Sequence, residues 1–436
     1  MTQAECRQRR DRLMDKIGQG TAIFCSAPMA VMHNDVEYNF RQDSDFYYLT
    51  GFNEPEAVAV LAPHHDQHRY VLFVQPKDPE RETWTGYRVG VEAAKERYGA
   101  DEVYSITELS DKLTQYVEKA DRIYYHLGRD QSFNTKMLKL WQHCLRRYPR
   151  TGQGPIALED PGPIVHGMRQ IKDPQELNLM HQAATISAAA HCRAMDYARG
   201  GCYEYQVQAE IEHSFRLAGA MGPAYPSIVA SGDNACILHY TENKRQMQDG
   251  DLLLIDAGCA VDYYNADITR TFPVGGRFSD EQRLLYEIVL EAQMQAIALA
   301  QPGQPYQAMH ETAVRVIVDG LLDLGLLVGD RDTLIAEETY KPFYMHRTGH
   351  WLGLDVHDVG IYQHGETSHQ LEPGQVFTVE PGIYVSPTIQ LAEGQPEVPE
   401  PWRGIGIRIE DDLVITETGH EVLTSGVPKA IADLTR

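Results

Sequence analysis

Four strand-like runs in the second half of this chain each carry an acidic residue where a buried strand has no cheap place for one. Asp256 ends the run DLLLI, in DLLLIDAG, and Asp267 begins DITRTF. Glu380 follows Val376-Phe377-Thr378-Val379 and precedes the turn Pro381–Gly382. Glu410 sits inside GIGIRIEDDLVI, where Ile405, Ile407 and Ile409 alternate as one apolar face and Arg408 and Glu410 share the other. A carboxylate at the end of a buried strand is costly unless it is paired or binds a metal. A fold that buries these runs must therefore bring their acids to a cation.

An imidazole joins the set. His350 lies in HRTGHWLGLDVHD with His346 and His357 beside it. Gly349 and Gly353 weaken helical propensity, so a loop or irregular strand is expected there. Asp256 and Asp267 are eleven positions apart. A hairpin turning near Val261–Asp262 would set them opposite one another, ~5 Å apart at Cβ, which is destabilising for like charges without a cation. Singly, each residue has an ordinary alternative. Asp is common at strand ends and turns, Arg408–Glu410 could be a salt bridge on a solvated face, and His350 could be a satisfied core residue. Jointly, four carboxylates and one histidine form an oxygen-rich set suited to two divalent ions, Mn²⁺ first and Zn²⁺ or Co²⁺ after it. Two such ions ~3.5–4 Å apart can activate a shared water for amide hydrolysis.

The 436 residues suffice for two domains, and the boundary is expected near residue 170, giving 1–170 and 171–436. In the first part Ala57–Leu61 and Tyr70–Gln75 read as strands, and Gly152–Gly167 as a Gly/Pro-rich connection. Asp173, Pro174 and Glu176 form a capping box that opens a helix to about Arg199. Further helices are expected over Tyr205–Leu217, from Ser279/Gln282 to about Ala300, and over Tyr306–Leu324. Strands are expected over Ile268–Val274, Val376–Val379 and Ile405–Ile415. The pattern is that of an α+β domain whose helices cover a mostly antiparallel sheet.

Hydrophobic content of 43% and charged content of 23% suit a soluble globular protein. No window offers the ~18 apolar residues of a membrane span, and the charged N-terminus has no apolar signal core, so a cytoplasmic location is expected. A net charge of −23 disfavours nucleic acid and favours a substrate with a cationic amine. Seven cysteines, an odd number without CxxC, point to reduced thiols.

The motifs ILHYTEN (237–243), LLIDAG (253–258), NADITRTFPV (265–274), GHWLGLDVHDVG (349–360), TVEPGIY (378–384) and GIGIRIEDDLVIT (404–416) resemble those of the pita-bread metallopeptidases. With YNFRQDSDFYYLTGFNEPEAV (38–58), the full length resembles the Xaa-Pro aminopeptidase (aminopeptidase P) family. The resemblance implies a small α/β N-terminal domain and a pita-bread catalytic domain, and release of any N-terminal residue that precedes proline. It implies that Asp256 binds one metal, that Asp267 and Glu410 bridge, and that His350 and Glu380 bind the second metal. Glu380 would also be the general base, His239 and His357 would act at the scissile bond, and His346 would line the proline pocket. Arg408 would orient Glu410, Tyr384 would stand near the site, and Trp84 and Asp35 would approach substrate from the first domain. A dimer or tetramer is implied as well. Two departures touch the rim of the specificity pocket: a longer loop at Ser386–Pro401, and no arginine in Gln363–Ser368. A prolidase would share the five ligands, and a metal-free pita-bread module binding peptides or histones would lack them. Creatine amidinohydrolase lacks this ligand set, and a methionine aminopeptidase would not need the N-terminal part.

Overall fold

Strands Val58–Leu61 and Tyr70–Val74 are buried at every position, which explains why both read as unbroken apolar runs. They lie in a six-stranded sheet of the computed structural model, which describes residues 1–435. From edge to edge the sheet runs Glu102–Ser105, Tyr70–Val74, Val58–Leu61, Thr21–Cys25, Arg122–Tyr125 and Ala157–Glu159. The second, third and fourth of these pair antiparallel and the remaining pairs are parallel. Helices Leu109–Val117 and Gln131–Thr151 cover one face, where Leu113, Tyr116 and Met137 pack on Ile23, Val71 and Phe73. These elements belong to one compact unit, Met1–Arg169; a second begins at Gln170.

Gly152–Gly167 is more than a connection. Ala157–Glu159 adds the last strand of the sheet, parallel to Arg122–Tyr125, and a helix runs over Gly162–Gln170. Gly162 and Pro163 fall in the first helical turn, where proline's missing N–H has no intrahelical partner to lose.

In the second unit the local start signals hold. Asp173 accepts from Gln175 and Glu176 N–H groups, and Glu176 returns the bond, opening helix Pro174–Tyr197. Ser279 and Gln282 do the same for Asp280–Ala298. Helices Glu204–Leu217 and Tyr306–Asp323 complete the main helical layer. The strands form short antiparallel groups: Ile228–Ser231, Leu252–Asp256 and Thr269–Pro273 in one; Val376–Val379, Asp411–Thr416 and Gly419–Val422 in another; and the pair Gly382–Val385 with Ile405–Arg408. Trp351, Phe377, Val379, Leu413 and Ile415 form a core with Ala296 and Met309 from the helices.

Two expectations about register change. The Ile405–Ile415 run is two strands, broken at Ile409–Glu410, and each half pairs with a different neighbour. Every residue in it is buried, so there is no solvated face. The hairpin after Asp256 turns one residue later than expected, at Asp262–Tyr263, both with positive φ. Asp256 therefore pairs with Thr269 rather than Asp267.

Candidate metal centre

Each of the five side chains is aimed by backbone bonds made where regular pairing ends. Beyond the Asp256–Thr269 pair, the Ala257 N–H bonds Ile268 O (3.0 Å) and the strands stay close past Gly258, where a Cβ would collide with the Ala266 carbonyl. That closeness holds Asp267 beside Asp256 even though they are not cross-strand partners. The Asp267 N–H is taken by the Asp412 carboxylate at 3.0 Å. Loop 348–352 runs beside strand Val376–Val379: Leu352 N–H bonds Val376 O, Thr378 N–H bonds His350 O, and Glu380 N–H bonds Thr348 O, at 2.8–3.0 Å. This places His350 next to Glu380. At the break between strands, the Glu410 N–H bonds Thr269 O (3.0 Å) and its carbonyl accepts from the buried Arg270 (2.5 Å).

The side chains converge. Ligand atoms of Asp267, His350 and Glu410 lie within 4.8 Å of one another. His350 Nε2 is 3.4 Å from Asp267 Oδ2 and 3.7 Å from Glu380 Oε1. Asp256 joins through Tyr225, whose hydroxyl is 2.7 Å from Asp256 Oδ1 and 2.5 Å from Asp267 Oδ1. All five line a cavity of about 760 Å³, together with His239, His346, His357 and Arg408.

Arg408 is a hub, although its partners differ from the one expected. Its guanidinium donates to Asp256 Oδ2 (2.6 Å), to the Tyr384 hydroxyl (2.9 Å) and to Thr269 Oγ1 (3.1 Å). Thr269 in turn donates to Glu410 Oε2 at 2.6 Å. Arg408 thus grips Asp256 directly and reaches Glu410 only through Thr269, because the strand break turns the two neighbours in sequence apart.

The electrostatics state what the cluster lacks. Burial, then the charges of Asp267, Glu380 and Asp256, push the Glu410 carboxyl well above its usual range. Burial pushes Glu380 up to about 7 against the opposing pull of His350 and Arg408. Asp256 is raised by burial despite Arg408. Asp267 is lowered: the hydrogen bond and charge of His350 outweigh its burial. His350 rises to about 9, its burial being overridden by Asp267 and Glu380. Four acids share two cationic side chains.

Three observations fit this set to divalent ions. The Tyr225 hydroxyl has one proton for two carboxylate oxygens. His350 Nδ1 lies 3.0 Å from the Trp351 carbonyl, which can only accept, so Nε2 of the neutral ring turns its lone pair to the carboxylates. The donors are oxygen-rich with one imidazole, the pattern of hard and borderline ions.

The neighbouring residues differ in position. His346 bonds Arg347 O and the Tyr384 hydroxyl, both at 2.8 Å, and burial with the Arg408 charge lowers it to about 3, so its ring is neutral. His357 packs edge-on to His350 at 4.3 Å and is lowered by burial and by that neighbour's charge. His239 lines the cavity. Trp84 and Asp35 lie in the first unit, on helix Pro79–Thr85 and in an exposed turn, and Trp84 is 88% exposed. Tyr225, Thr269 and Arg270 were not foreseen: nothing in their local sequence marks them, although TRTF directly follows Asp267–Ile268.

The comparisons place the chain in a family. The model of metallopeptidase family M24 matches residues 178–417, and that of the aminopeptidase P N-terminal domain matches residues 6–124. The chain is 45% identical to the Xaa-Pro aminopeptidase of Escherichia coli, over 98% of this chain and 96% of the relative. It is 33% identical to human Xaa-Pro aminopeptidase 3, over 100% of this chain and 85% of that one. Among solved structures, aminopeptidase PepP of Pseudomonas aeruginosa superposes with a TM-score of 0.94 at 50% identity, covering 100% of this chain and 97% of that chain. With more than half its length matched by the peptidase model and near-complete alignment to these relatives, the chain belongs to metallopeptidase family M24, with an aminopeptidase P N-terminal domain ahead of its pita-bread domain.

Proposed function

We propose that this protein is a metalloaminopeptidase that removes one N-terminal residue from peptides whose second residue is proline. The observation that carries this reading is the convergence of Asp256, Asp267, His350, Glu380 and Glu410 on one cavity. Support also comes from a structure similar to this chain (TM-score 0.93, 44% identity, covering 100% of this chain and 97% of that one), described as a glutamate-to-alanine variant of E. coli aminopeptidase P in complex with substrate.

The five side chains would hold a pair of divalent ions, with Asp267 and Glu410 shared between them; manganese is the first candidate, then zinc or cobalt. Bound there, such ions polarise a carbonyl and make water acidic enough to attack it. The remaining work falls to the chain. Glu380 stands at the cavity wall, bonded by the Thr378 hydroxyl at 3.3 Å, and is the group placed to receive the proton of the attacking water. His357 and His239 offer N–H donors to the carbonyl oxygen as it gains charge. Neutral His346, fixed by Tyr384, offers a ring face to the proline. Arg408, itself bonded to the Tyr384 hydroxyl, holds Asp256 in place.

A dedicated site of this kind answers a chemical problem. The Xaa-Pro bond has no N–H and its ring fixes the backbone, so an enzyme that grips an amide N–H has no handle on it. Carbonyl activation and a ring pocket need none. We infer that the first domain, about 1–170, limits peptide length through Asp35 and Trp84, with Trp84 acting in a neighbouring copy of a dimer or tetramer. A cytoplasmic peptide pool would supply substrate, with no nucleic-acid or membrane partner; no helix among the described residues is long and apolar enough to cross a membrane.

The test is cleavage of Xaa-Pro-Xaa, Xaa-Pro and Xaa-Ala-Xaa by protein loaded with Mn²⁺. Release of the first residue from Xaa-Pro-Xaa, with Xaa-Ala-Xaa inert, is expected. Turnover of the dipeptide alone would make the protein a prolidase. Asp267→Ala and Glu410→Ala are each expected to abolish turnover, and near-full activity in either would remove its shared role.

A further inference from the structure

A second group of ligand-type side chains lies in the first unit, with no part in the peptidase site. Asp45 is in the first turn of helix Ser44–Thr50, His126 directly follows strand Arg122–Tyr125, and His166 is on helix Gly162–Gln170. Their ligand atoms all lie within 4.8 Å of one another. Both imidazoles address the same oxygen: His126 Nε2 is 3.1 Å and His166 Nε2 3.3 Å from Asp45 Oδ2. Donors ~2.0–2.1 Å from a tetrahedral zinc stand ~3.3 Å from one another, so these separations are those of two edges of such a shell.

The bonding of His126 gives an independent reason. Its Nδ1 is 2.8 Å from Asp160 Oδ1, and a carboxylate can only accept, so Nδ1 carries the proton. In the neutral ring Nε2 is then a bare lone pair. It is buried, has no hydrogen-bond partner, and faces a carboxylate oxygen. His126 as a residue is 8% exposed and Asp45 1%. Two lone pairs face to face in a dry place repel unless a cation stands between them. A carboxylate behind a histidine whose far nitrogen points at the centre is the outer-shell arrangement that orients metal-binding imidazoles.

The basic neighbours are compatible with an ion. Arg169 Nη1 bonds the other oxygen, Asp45 Oδ1, at 2.8 Å and leaves Oδ2 to the histidines. Arg129 Nη2 approaches Oδ2 at 3.4 Å, but this side chain is half exposed and its stronger bond is to Asp43 at 2.8 Å. It can withdraw without losing that partner.

We propose that Asp45, His126 and His166 bind one divalent transition-metal ion, zinc by donor type, with Asp160 as the outer carboxylate and water in the fourth position. The ion ties the Ser44–Thr50 helix, the end of strand Arg122–Tyr125 and the Gly162–Gln170 helix together, which is a structural and not a hydrolytic role. The experiment uses the full chain carrying D267A and E410A, stripped by chelation and titrated with zinc while bound metal is counted. One equivalent lost on adding H166A is expected, as is a tetrahedral visible spectrum when Co²⁺ replaces zinc. Asp160→Asn, on an exposed side chain, should weaken uptake by about 10- to 100-fold while leaving the metal-free melting temperature unchanged. A folded D267A/E410A chain that binds no zinc overturns the proposal; so does uptake indifferent to both H166A and H126A, which would leave a charged His–Asp network. Should the doubly substituted chain fail to fold, the native chain decides: an equivalent removed by H166A supports the site, and an unchanged count overturns it.

Discussion

Replacing Glu380 by Gln should stabilise the metal-free protein, and only at high pH. In the metal-free fold this carboxyl is pushed from 4.5 up to about 7, chiefly by burial. The folded state therefore keeps a proton that the unfolded chain has released, and stability falls as pH rises from about 4.5 through 7. Each pH unit in that window is worth ~1.4 kcal/mol, so ionising Glu380 removes roughly 3 kcal/mol by pH 8. The side chain is only 16% exposed, so solvent screening takes little from this figure. Gln has the same shape and nothing to ionise. Urea denaturation in the presence of a chelator, at pH 4.5 and pH 8, reads the effect: the native chain should lose roughly 3 kcal/mol more than Glu380→Gln across that interval. Bound metal should reverse the order, because Gln is the poorer ligand. Parallel pH profiles for the two proteins in chelator would refute the claim that Glu380 is a buried acid short of a counter-charge.

Three further outcomes follow from the same cluster. Arg408→Ala leaves the buried Asp256 without its 2.6 Å partner and should cost about 3–5 kcal/mol in denaturant titrations; Arg408→Lys should fall between, since an ammonium cannot copy a planar fork that serves three acceptors, and a cost under about 1 kcal/mol for Ala would contradict the hub. Metal uptake at pH 7 should release protons, because His350, raised to about 9, must give up its proton to become a ligand; calorimetry in buffers of different ionisation enthalpy measures this, and buffer-independent heats would count against it. Chelation should lower the melting temperature, as four acids then repel without counter-charge, and an unchanged melting curve would argue that the acids are not a metal site.

What was legible in the sequence is what is local. The Asp173–Glu176 and Ser279–Gln282 boxes are fixed by bonds within four residues, and both helices start there. The acids were visible because each interrupts an apolar run. Their exact pairing was not, because the turn at Asp262–Tyr263 needs positive φ at both residues, and a tyrosine does not signal that conformation. A turn one residue further along the chain sets Asp256 opposite Thr269. Arg408 and Glu410 look like partners two positions apart, yet the strand break between them sends one to Asp256 and leaves Thr269 to link the other. Tyr225 touches Asp256 and Asp267 from 31 and 42 residues away, and no local pattern announces such a contact. The Asp45–His126–His166 group is equally non-local.

The central claim is that five side chains of the second unit gather around two cations. Anomalous diffraction from crystals of the Mn²⁺-loaded protein measures this directly. Two peaks ~3.5–4 Å apart, flanked by Asp267 and Glu410 with His350 on one of them, are the predicted result. A map with no paired peaks among those five residues, from protein that still cleaves Xaa-Pro-Xaa, would contradict it.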